Sequence, residues 1–310
     1  MIRFKDLSTT DKDVIQSFTL WGERQNCDLS FSNLISWRFL YNTQFAIVDE
    51  YLVFRFYTGH HLAYMMPLVK PRKQDDGTFK VKTCDECSVR VIRAIRDDSI
   101  AMGHPFLLLG VCNYMTDIIE NAFPDTFQIK PDRDRADYIY TRDKLINLSG
   151  KNLQSKRNHI NKFKSLYPNY KYRDLLPELI PECLKLERQW RLDQDESEQD
   201  ESMTEELRSM TRAFDRWDRL GLIGGTIWVD DKLIAFTFGC PINQSTFDVC
   251  VEKADTSYEG SFTIINQEFV KHLPEQYFYI NREEDMGEPG LRNAKLSYKP
   301  DILLEKNVIM

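Results

Sequence analysis

The residues with the clearest capacity for chemistry lie near the C-terminus, in the segment 281–300. The acids of this segment can bind an amine or take a proton from one. Its bases can stabilise the negative charge that develops in a transition state. The candidate catalytic residues here are Glu283, Asp285, Arg292 and Lys295, and the candidate substrate-binding residues are Asn281 and Tyr298.

The neighbouring elements are expected to hold this segment at the edge of a sheet. The preceding aromatic run, 276–280, predicts a buried strand because bulky and β-branched residues suit a pleated surface. Gly287, Pro289 and Gly290 favour turns, and the composition of 291–298 favours a short helix. The alternative is a set of solvated charges around a helix start. Since loops on a rigid scaffold commonly carry function, we interpret the segment as part of a site.

Another pair of acids lies on the predicted strand 246–252. Side chains alternate along a strand, so Asp248, Cys250 and Glu252 are predicted to face one way and the apolar residues between them the other way. Two carboxylates on one face, beside the acidic loop 283–285, predict that Asp248 and Glu252 bind or deprotonate an amine. An exposed sheet face is the alternative interpretation.

A basic helix is predicted in the middle of the chain, at 150–167. Lys156 lies at the centre of its apolar stripe, so this lysine is predicted to point inward. It either extends past the apolar edge to solvent or contacts an anion, which is a carboxylate of the acidic loop or a substrate phosphate. Arg157 and the other bases indicate either a phosphate-binding surface or a solvated face. The candidate substrate-binding residues of this helix are Lys156, Arg157 and Asn158.

The loop 255–261 indicates whether the protein binds coenzyme A as a cofactor. In coenzyme A-dependent acetyltransferases, the amides of a glycine-rich loop at a helix N-terminus hold the pyrophosphate. Here the loop has one glycine, Gly260, and Glu259 would repel a pyrophosphate. The sequence therefore disfavours coenzyme A and predicts no other bound cofactor. Tyr258 of the same loop is a further candidate for substrate binding.

The seven cysteines and five histidines predict no metal site. Only Cys84 and Cys87 have the spacing of metal ligands, and a zinc site needs a second close pair. The two acids between them would also raise the pKa of a redox-active thiol.

Length and charge restrict the class of protein. A chain of 310 residues suffices for two domains or one large one, and a formal charge of −7 argues against a protein that coats nucleic acid. Bases concentrate in 142–173 and acids in 193–206, a segment that could fold over the basic helix. No apolar run is long enough to span a membrane and no secretory signal is present, so a cytoplasmic location is predicted.

The predicted elements follow the same order in both halves of the chain: two helices, a three-strand meander, a helix, a strand, a helix and a strand. This order predicts an α+β fold with a mostly antiparallel sheet in each half, and it is also the order of the GNAT fold. Because the basic helix would join the halves, the predicted domains are 1–148 and 149–310.

Three stretches carry a resemblance to a known family: 28–37, the basic pattern 150–163, and 281–300. They resemble the C-terminal part of bacterial phosphatidylglycerol lysyltransferases, a branch of the GNAT-like acyltransferases related to the Fem-type enzymes. The resemblance implies two tandem GNAT-like domains, each with a mixed sheet flanked by helices. It also implies transfer of an aminoacyl group from charged tRNA to a lipid hydroxyl or a cell-wall precursor amine.

The predicted function is therefore transfer of an aminoacyl or acyl group to an amine or hydroxyl. Aminoacyl-tRNA is the expected co-substrate, bound through the basic helix 150–164, and a small molecule or cell-envelope compound is the expected acceptor. The alternative is a binding protein of the same fold, without catalysis, for a small amino compound or an RNA. An ordinary coenzyme A acetyltransferase is disfavoured by Glu259.

Overall fold

The computed structural model describes residues 2–81, 85–192 and 201–310. Within these residues thirteen strands form one mixed sheet against which helices pack, and this confirms the predicted α+β class. The helices are α1 (Lys12–Thr19), α2 (Phe31–Ser36), α3 (Arg38–Tyr41), α4 (Asp85–Ala101), α5 (Asn113–Ala122), α6 (Arg142–Asn147), α7 (Gln154–Leu166), α8 (Ile180–Leu192), α9 (Glu201–Phe214), α10 (Trp217–Leu220), α11 (Ser261–His272) and α12 (Pro289–Leu296). The strands are β1 (Lys5–Asp6), β2 (Gln44–Val48), β3 (Tyr51–Thr58), β4 (His61–Met65), β5 (Leu68–Val69), β6 (Arg72–Lys73), β7 (Phe79–Lys80), β8 (Leu108–Cys112), β9 (Ile129–Thr141), β10 (Lys171–Asp174), β11 (Ile223–Val229), β12 (Lys232–Pro241), β13 (Thr246–Ala254), β14 (Tyr279–Asn281) and β15 (Ile302–Ile309).

The sheet runs without interruption through both halves of the chain. Its order is β1-β2-β3-β4-β8-β15-β9-β14-β13-β12-β11-β10, with β5 paired to β3, while β6 and β7 form a separate hairpin. Strand β9 of the first half pairs with β14 of the second, and the C-terminal strand β15 lies between β8 and β9. The prediction of a separate sheet in each half is therefore wrong, because these pairings join the halves. The division into domains at 148 and 149 remains a prediction.

The sheet contains parallel pairing at two places in the described chain. Strand β4 pairs with β8, and β13 pairs with β14 from Thr246 and Tyr279 to Asp248 and Asn281. In each case a helix connects a strand of the meander to its parallel neighbour, as parallel pairing requires. Strand β13 continues to Ala254 after β14 has ended, so the two strands part at Asp248. This parting creates room for the loop that follows β14.

Alternation along the strands determines which face each helix covers. On β11, Trp228 packs in the same apolar cluster as Phe214 of α9, whereas Ile227 packs with Phe163 of α7 and the apolar residues of α11. A third cluster lies beneath α4 and α5. Burying one large apolar side chain stabilises the fold by about 1.5–3 kcal/mol, so a change of face would be costly. No helix in the described ranges is both long enough and apolar enough to cross a bilayer.

The acidic segment 193–206 is described from Glu201 onward. That part begins α9, which packs on the face of the sheet opposite to α7, and Glu206 pairs with Lys253 at 2.8 Å. The described acids therefore do not cover the basic helix. Residues 193–200, like Cys84, lie outside the described residues.

Candidate functional site

Two carboxylates, one buried and one half-buried, lie together where β13 and β14 part. Asp248 is the last residue of the parallel pairing on β13, and Glu283 follows the end of β14 by two residues. Asn33 of α2 joins them, because its Nδ2 atom donates to Asp248 Oδ2 at 3.2 Å and to Glu283 Oε1 at 2.7 Å. Ser30 accepts a hydrogen bond from the Asn33 amide and thereby caps α2. With Cys250 Sγ, which lies 3.4 Å from Asp248 Oδ2, these side chains form what we call the Asp248 cluster.

In the described chain the carboxylates of the Asp248 cluster form no ion pair. Among the described residues no lysine or arginine nitrogen lies within 4.0 Å of either carboxylate. Burial raises the pKa of Glu283 to about 8, and burial together with the nearby Glu283 raises the pKa of Asp248 well above its usual range. Asp248 Oδ1 is buried and has no hydrogen-bond partner in the described part of the chain. The cluster is therefore suited to a group that brings positive charge and hydrogen-bond donors.

The backbone holds Glu283 in the left-handed region, with φ at +58°. Non-glycine residues adopt this conformation at a cost, and it persists where neighbouring contacts enforce it. Asn281 supplies such contacts: its Oδ1 accepts from the Glu283 amide at 2.7 Å and its Nδ2 donates to Asp137 Oδ2 at 2.9 Å. Asn281, predicted to bind substrate, is fully buried and uses its side chain for these bonds.

A second cluster of carboxylates contains its own buried cation. Lys306 of β15 is 1% exposed, and its Nζ atom lies 2.7 Å from Asp28, 2.7 Å from Asp137 and 2.8 Å from Glu284. Burial opposes the charge of Lys306, but the three carboxylates raise its pKa well above its usual value. Cys27 completes this group, the Lys306 cluster, because its amide donates to Asp137 at 2.8 Å.

Lys295 of α12 is buried close to the acidic loop. Its Nζ atom donates to the carbonyl oxygen of Glu284. Burial lowers the pKa of Lys295, and the charge of Glu283 opposes that shift. Lys295 therefore provides positive charge near Glu283 without forming an ion pair with it.

Asp285 and Arg292 form a clamp that shapes the acidic loop. Arg292 Nε and Nη2 donate to the two oxygens of Asp285 at 2.8 and 2.7 Å, and Nη2 also donates to Asp134 at 2.6 Å. The Tyr138 hydroxyl donates to Asp285 as well. Burial opposes the charge of Asp285, but the hydrogen bonds from Arg292 and Tyr138 hold its pKa well below the usual range. The structure thus brings together the predicted residues Asp285 and Arg292, and each neutralises the charge of the other.

The prediction that Asp248 and Glu252 share a strand face is wrong. Asp248 contacts Asn33 of α2, whereas Glu252 pairs with Arg282 at 2.9 Å and accepts from Asn266 of α11 at 3.3 Å, on the other side of the sheet. The reason is a bulge: the register on β12 shifts at Phe238 and Gly239, and one residue of β13 has no partner. An extra residue reverses the alternation beyond it.

The group around Glu252 includes two other predicted residues. Lys156 Nζ lies 4.2 Å from the centre of the Tyr298 ring, and the Arg282 guanidinium lies 5.0 Å from it. Lys156 is half-buried, and burial lowers its pKa. In the described chain it has no carboxylate within 4.0 Å. It is therefore a cation held by an aromatic ring, which is a favourable contact.

The remaining predicted binding residues make other local contacts. Arg157 Nη1 donates to backbone carbonyl oxygens of the preceding turn. Asn158 accepts from Gln154 at 2.8 Å and is otherwise exposed. The Tyr258 ring packs 5.2 Å from that of Tyr167. The structure thus places Arg157, Asn158 and Tyr258 outside the two carboxylate clusters.

The start of α11 is packed against α7. Glu259 pairs with Lys162 of α7 at 2.6 Å. A Cβ atom on Gly260, whose φ is +88°, would lie 3.0 Å from the carbonyl oxygen of His159. Glycine is therefore required both by the backbone conformation and by the approach of α7.

Several residues of the site were missed in the sequence. Asn33 and Asp28 lie in the stretch 28–37, which carried the family resemblance without contributing a candidate. Lys306 lies in the terminal strand, whose other residues are apolar apart from Glu305 and Asn307, and a buried position for a lysine implies a carboxylate partner. That signal was available, but nothing in the sequence indicates that its partners are Asp28, Asp137 and Glu284.

Comparison with known families and proteins supports the resemblance. The family model described as phosphatidylglycerol lysyltransferase, C-terminal, matches residues 22–309, which include all three resembling stretches, and confirms it. An uncharacterised protein of Mycoplasmoides gallisepticum is 25% identical over 173 residues, or 56% of this chain and 55% of that protein. The chain thus matches only about half the length of that relative.

Solved structures share the fold. A conserved protein of unknown function from Bacteroides thetaiotaomicron is 47% identical, with a TM-score of 0.90 over 100% of this chain and 99% of that one. L-PGS from Bacillus licheniformis is 12% identical, with a TM-score of 0.63 over 98% and 92% of the two chains. The C-terminal domain of a putative lysylphosphatidylglycerol synthetase from Agrobacterium fabrum is 10% identical, with a TM-score of 0.62 over 97% and 92%. At such identities the last two indicate a common fold alone.

Proposed function

Because the chain belongs to the phosphatidylglycerol lysyltransferase C-terminal family, we propose that it transfers an aminoacyl group from aminoacyl-tRNA to an amine or hydroxyl acceptor. The observation that carries this proposal is the Asp248 cluster, in which buried Asp248 and half-buried Glu283 form no ion pair with any lysine or arginine of the described chain. An aminoacyl group brings a primary ammonium, which supplies both the charge and the donors that the cluster needs.

In this proposal Asp248 binds the ammonium of the donor. Its free Oδ1 atom accepts a hydrogen bond from the ammonium, while Oδ2 keeps its bond to Asn33. The positive charge lowers the raised pKa of Asp248 and ionises it. Binding and ionisation are therefore coupled.

Glu283 acts as the general base. The acceptor amine or hydroxyl attacks the carbonyl carbon of the aminoacyl ester, and its proton passes to the ionised Glu283 carboxylate. The tetrahedral intermediate then collapses: the ester C–O bond breaks, and the proton moves from Glu283 to the departing ribose oxygen. A base whose pKa is about 8 is matched to proton transfer near neutral pH. Lys295 stabilises the oxyanion through its buried charge.

Arg292 and Asn281 act as positioning residues. Arg292 fixes Asp285, two residues after Glu283, and Asn281 fixes the Glu283 amide. A reacting group displaced by about 1 Å can lose about 10²-fold in rate, so this geometry matters to transfer.

Coenzyme A takes no part in the proposed transfer. The packing of α7 against Gly260 opposes a pyrophosphate at the start of α11. Phosphates of tRNA are instead bound by α7, where Lys156 has no carboxylate within 4.0 Å in the described chain. The acceptor is a small molecule or a cell-envelope compound. The two halves of the chain, 1–148 and 149–310, are two GNAT-like domains, an arrangement supported by the parallel pair in each half.

A single-turnover assay tests the proposal. Labelled aminoacyl-tRNA is mixed with excess protein and a panel of amine and hydroxyl acceptors, and loss of the ester is followed. Glu283→Gln should slow transfer by at least about 10²-fold with the circular dichroism spectrum unchanged. Asp248→Asn should weaken binding of the free-amine donor but not of the N-acetylated donor, which lacks the charge. Glu178→Gln, at an exposed position on the surface, is the matched control.

Equal rates for the wild type and Glu283→Gln would remove Glu283 from the reaction. If no donor loses its aminoacyl group with any acceptor, transfer is refuted, and the binding protein of the same fold becomes the better account.

A further inference from the structure

The Asp248 cluster offers sulfur as well as oxygen. One ligand atom from each of Asp248, Cys250 and Glu283 lies within 4.8 Å of the other two. Asp248 Oδ1 is buried without a hydrogen-bond partner in the described chain. Cys250 and Glu283 are half-buried, so the cluster is reachable from solvent.

We propose that this cluster binds a divalent transition-metal ion of the zinc class, with one oxygen of Asp248, one oxygen of Glu283 and Cys250 Sγ as ligands. Thiolate and carboxylate are ligands that Zn²⁺ accepts in tetrahedral geometry, with bonds of about 2.0–2.3 Å. Such bonds place neighbouring ligand atoms about 3.6 Å apart, so these three atoms, which lie within 4.8 Å of one another, move closer together when the ion binds. The fourth position is left for water.

The Lys306 cluster has similar potential ligands, but its lysine explains why a metal would bind only to the Asp248 cluster. Cys27, Asp28 and Glu284 also place their ligand atoms within 4.8 Å of one another. There, however, Lys306 Nζ lies 2.7 Å from Asp28 and 2.8 Å from Glu284, in the position a metal would take. Displacing a buried ammonium from three carboxylate partners is strongly unfavourable, because its removal leaves buried charges unpaired. The metal is therefore confined to the Asp248 cluster.

This inference rests on the proposed function in one respect. The ammonium of the donor and the metal use the same oxygens of Asp248 and Glu283, so each excludes the other. Zn²⁺ is then a competitive inhibitor of transfer, and a chelator relieves the inhibition.

A cobalt titration tests the site directly. Tag-free, thiol-reduced protein is titrated with Co²⁺, and the thiolate-to-cobalt absorption is recorded. The wild type should show this absorption with saturation at one equivalent, and Zn²⁺ should abolish it. Cys250→Ser should lose the absorption, and Glu283→Gln should weaken binding at least tenfold. Cys27→Ser, the matched control from the Lys306 cluster, should retain the absorption and the stoichiometry.

Absence of the absorption in the wild type would overturn the inference, and so would its persistence in Cys250→Ser or its loss in Cys27→Ser. If Cys250→Ser does not fold, X-ray absorption of the zinc-loaded wild type decides the matter. One sulfur at about 2.3 Å supports the site, and a shell of nitrogen and oxygen alone refutes it.

The metal experiment and the transfer experiment fail separately. Transfer is measured in the presence of EDTA, and metal binding is measured without tRNA. Loss of transfer in Glu283→Gln without cobalt binding would refute the metal site alone. Cobalt binding without any dependence of transfer on Glu283 would refute the proposed base alone.

Discussion

The Lys306 cluster and the Asp248 cluster are neighbours with similar composition, and they differ in their cation. In each of them one cysteine and two carboxylates have ligand atoms within 4.8 Å of one another. In the Lys306 cluster the chain supplies the ammonium from β15, at 2.7–2.8 Å from three carboxylates. In the Asp248 cluster no lysine or arginine of the described residues lies within 4.0 Å of the carboxylates.

If the proposed function holds, this difference separates a structural cluster from a functional one. Buried carboxylates that meet a cation hold their charge and fasten segments together, here β15 to the turn before α2 and to the acidic loop. Buried carboxylates without a cation retain protons to higher pH, as the raised pKa values of Asp248 and Glu283 indicate. The first arrangement stabilises the fold, and the second is ready for an ionised ligand.

Among the substitutions that test this comparison, Lys306→Met is expected to have the largest effect. This change leaves three carboxylates around a buried apolar side chain and should lower the free energy of unfolding by about 3–5 kcal/mol. Urea denaturation followed by circular dichroism measures the loss. Lys185→Met is the matched control, because it breaks an exposed pair with Glu182 and should change stability by less than about 1 kcal/mol. A similar small change in both variants would contradict the structural role of the Lys306 cluster.

The next largest effect is expected in the pH dependence of stability, through the ionisation of Glu283. In the folded protein its carboxyl keeps a proton up to a pKa of about 8, whereas its ordinary value is 4.5. The folded state therefore binds more protons in this range, so its stability falls as pH rises from about 4.5 to about 8. Glu283→Gln removes this dependence. Between pH 5 and pH 8 the free energy of unfolding of this variant should therefore decrease by about 2–3 kcal/mol less than that of the wild type.

Denaturation at several pH values measures that slope. Glu178→Gln, at an exposed position, should follow the wild type. Parallel curves for the wild type and Glu283→Gln would mean that Glu283 is ionised throughout and that the Asp248 cluster is not short of positive charge.

Much of the fold follows from local sequence. The meander of β2, β3 and β4 was predicted because its links are too short for anything but hairpins, and the structure confirms it. The single sheet was not predictable in the same way. The pairing of β9 with β14 and the return of β15 join residues more than 130 positions apart, and no local pattern specifies such partners.

The site was predicted in its composition more than in its arrangement. The acidic loop and Asp248 were found because carboxylates are visible in the sequence. Glu252 was wrongly grouped with Asp248 because the bulge between them cannot be seen in the sequence. Gly239 was the available signal: a Cβ there would lie 1.7 Å from the carbonyl oxygen of Asp248, so the bulge requires glycine. Asn33 and Lys306 were missed because their partners lie far away in the sequence.

A smaller effect is expected from the clamp between Arg292 and Asp285, where a carboxylate is fully satisfied. Arg292→Lys keeps the charge but cannot donate to both oxygens of Asp285 in the planar geometry seen here. Transfer should fall by about tenfold because the loop that carries Glu283 is less well fixed. The single-turnover assay measures this. Arg90→Lys, in an exposed pair with Asp49, is the control, and an unchanged rate in Arg292→Lys would show that the clamp does not position Glu283.

Lys156 is the reverse case of the Asp248 cluster, a half-buried cation over the Tyr298 ring without a carboxylate within 4.0 Å in the described chain. If it binds one tRNA phosphate, Lys156→Met should weaken binding by less than tenfold and reduce the slope of log affinity against log salt by about one. Arg157→Met is the matched control, since its guanidinium is already used by backbone oxygens and by Gln154. Its slope should equal that of the wild type. Equal slopes for all three proteins would instead leave Lys156 with only its aromatic contact, which contributes about 0.5–1 kcal/mol to stability.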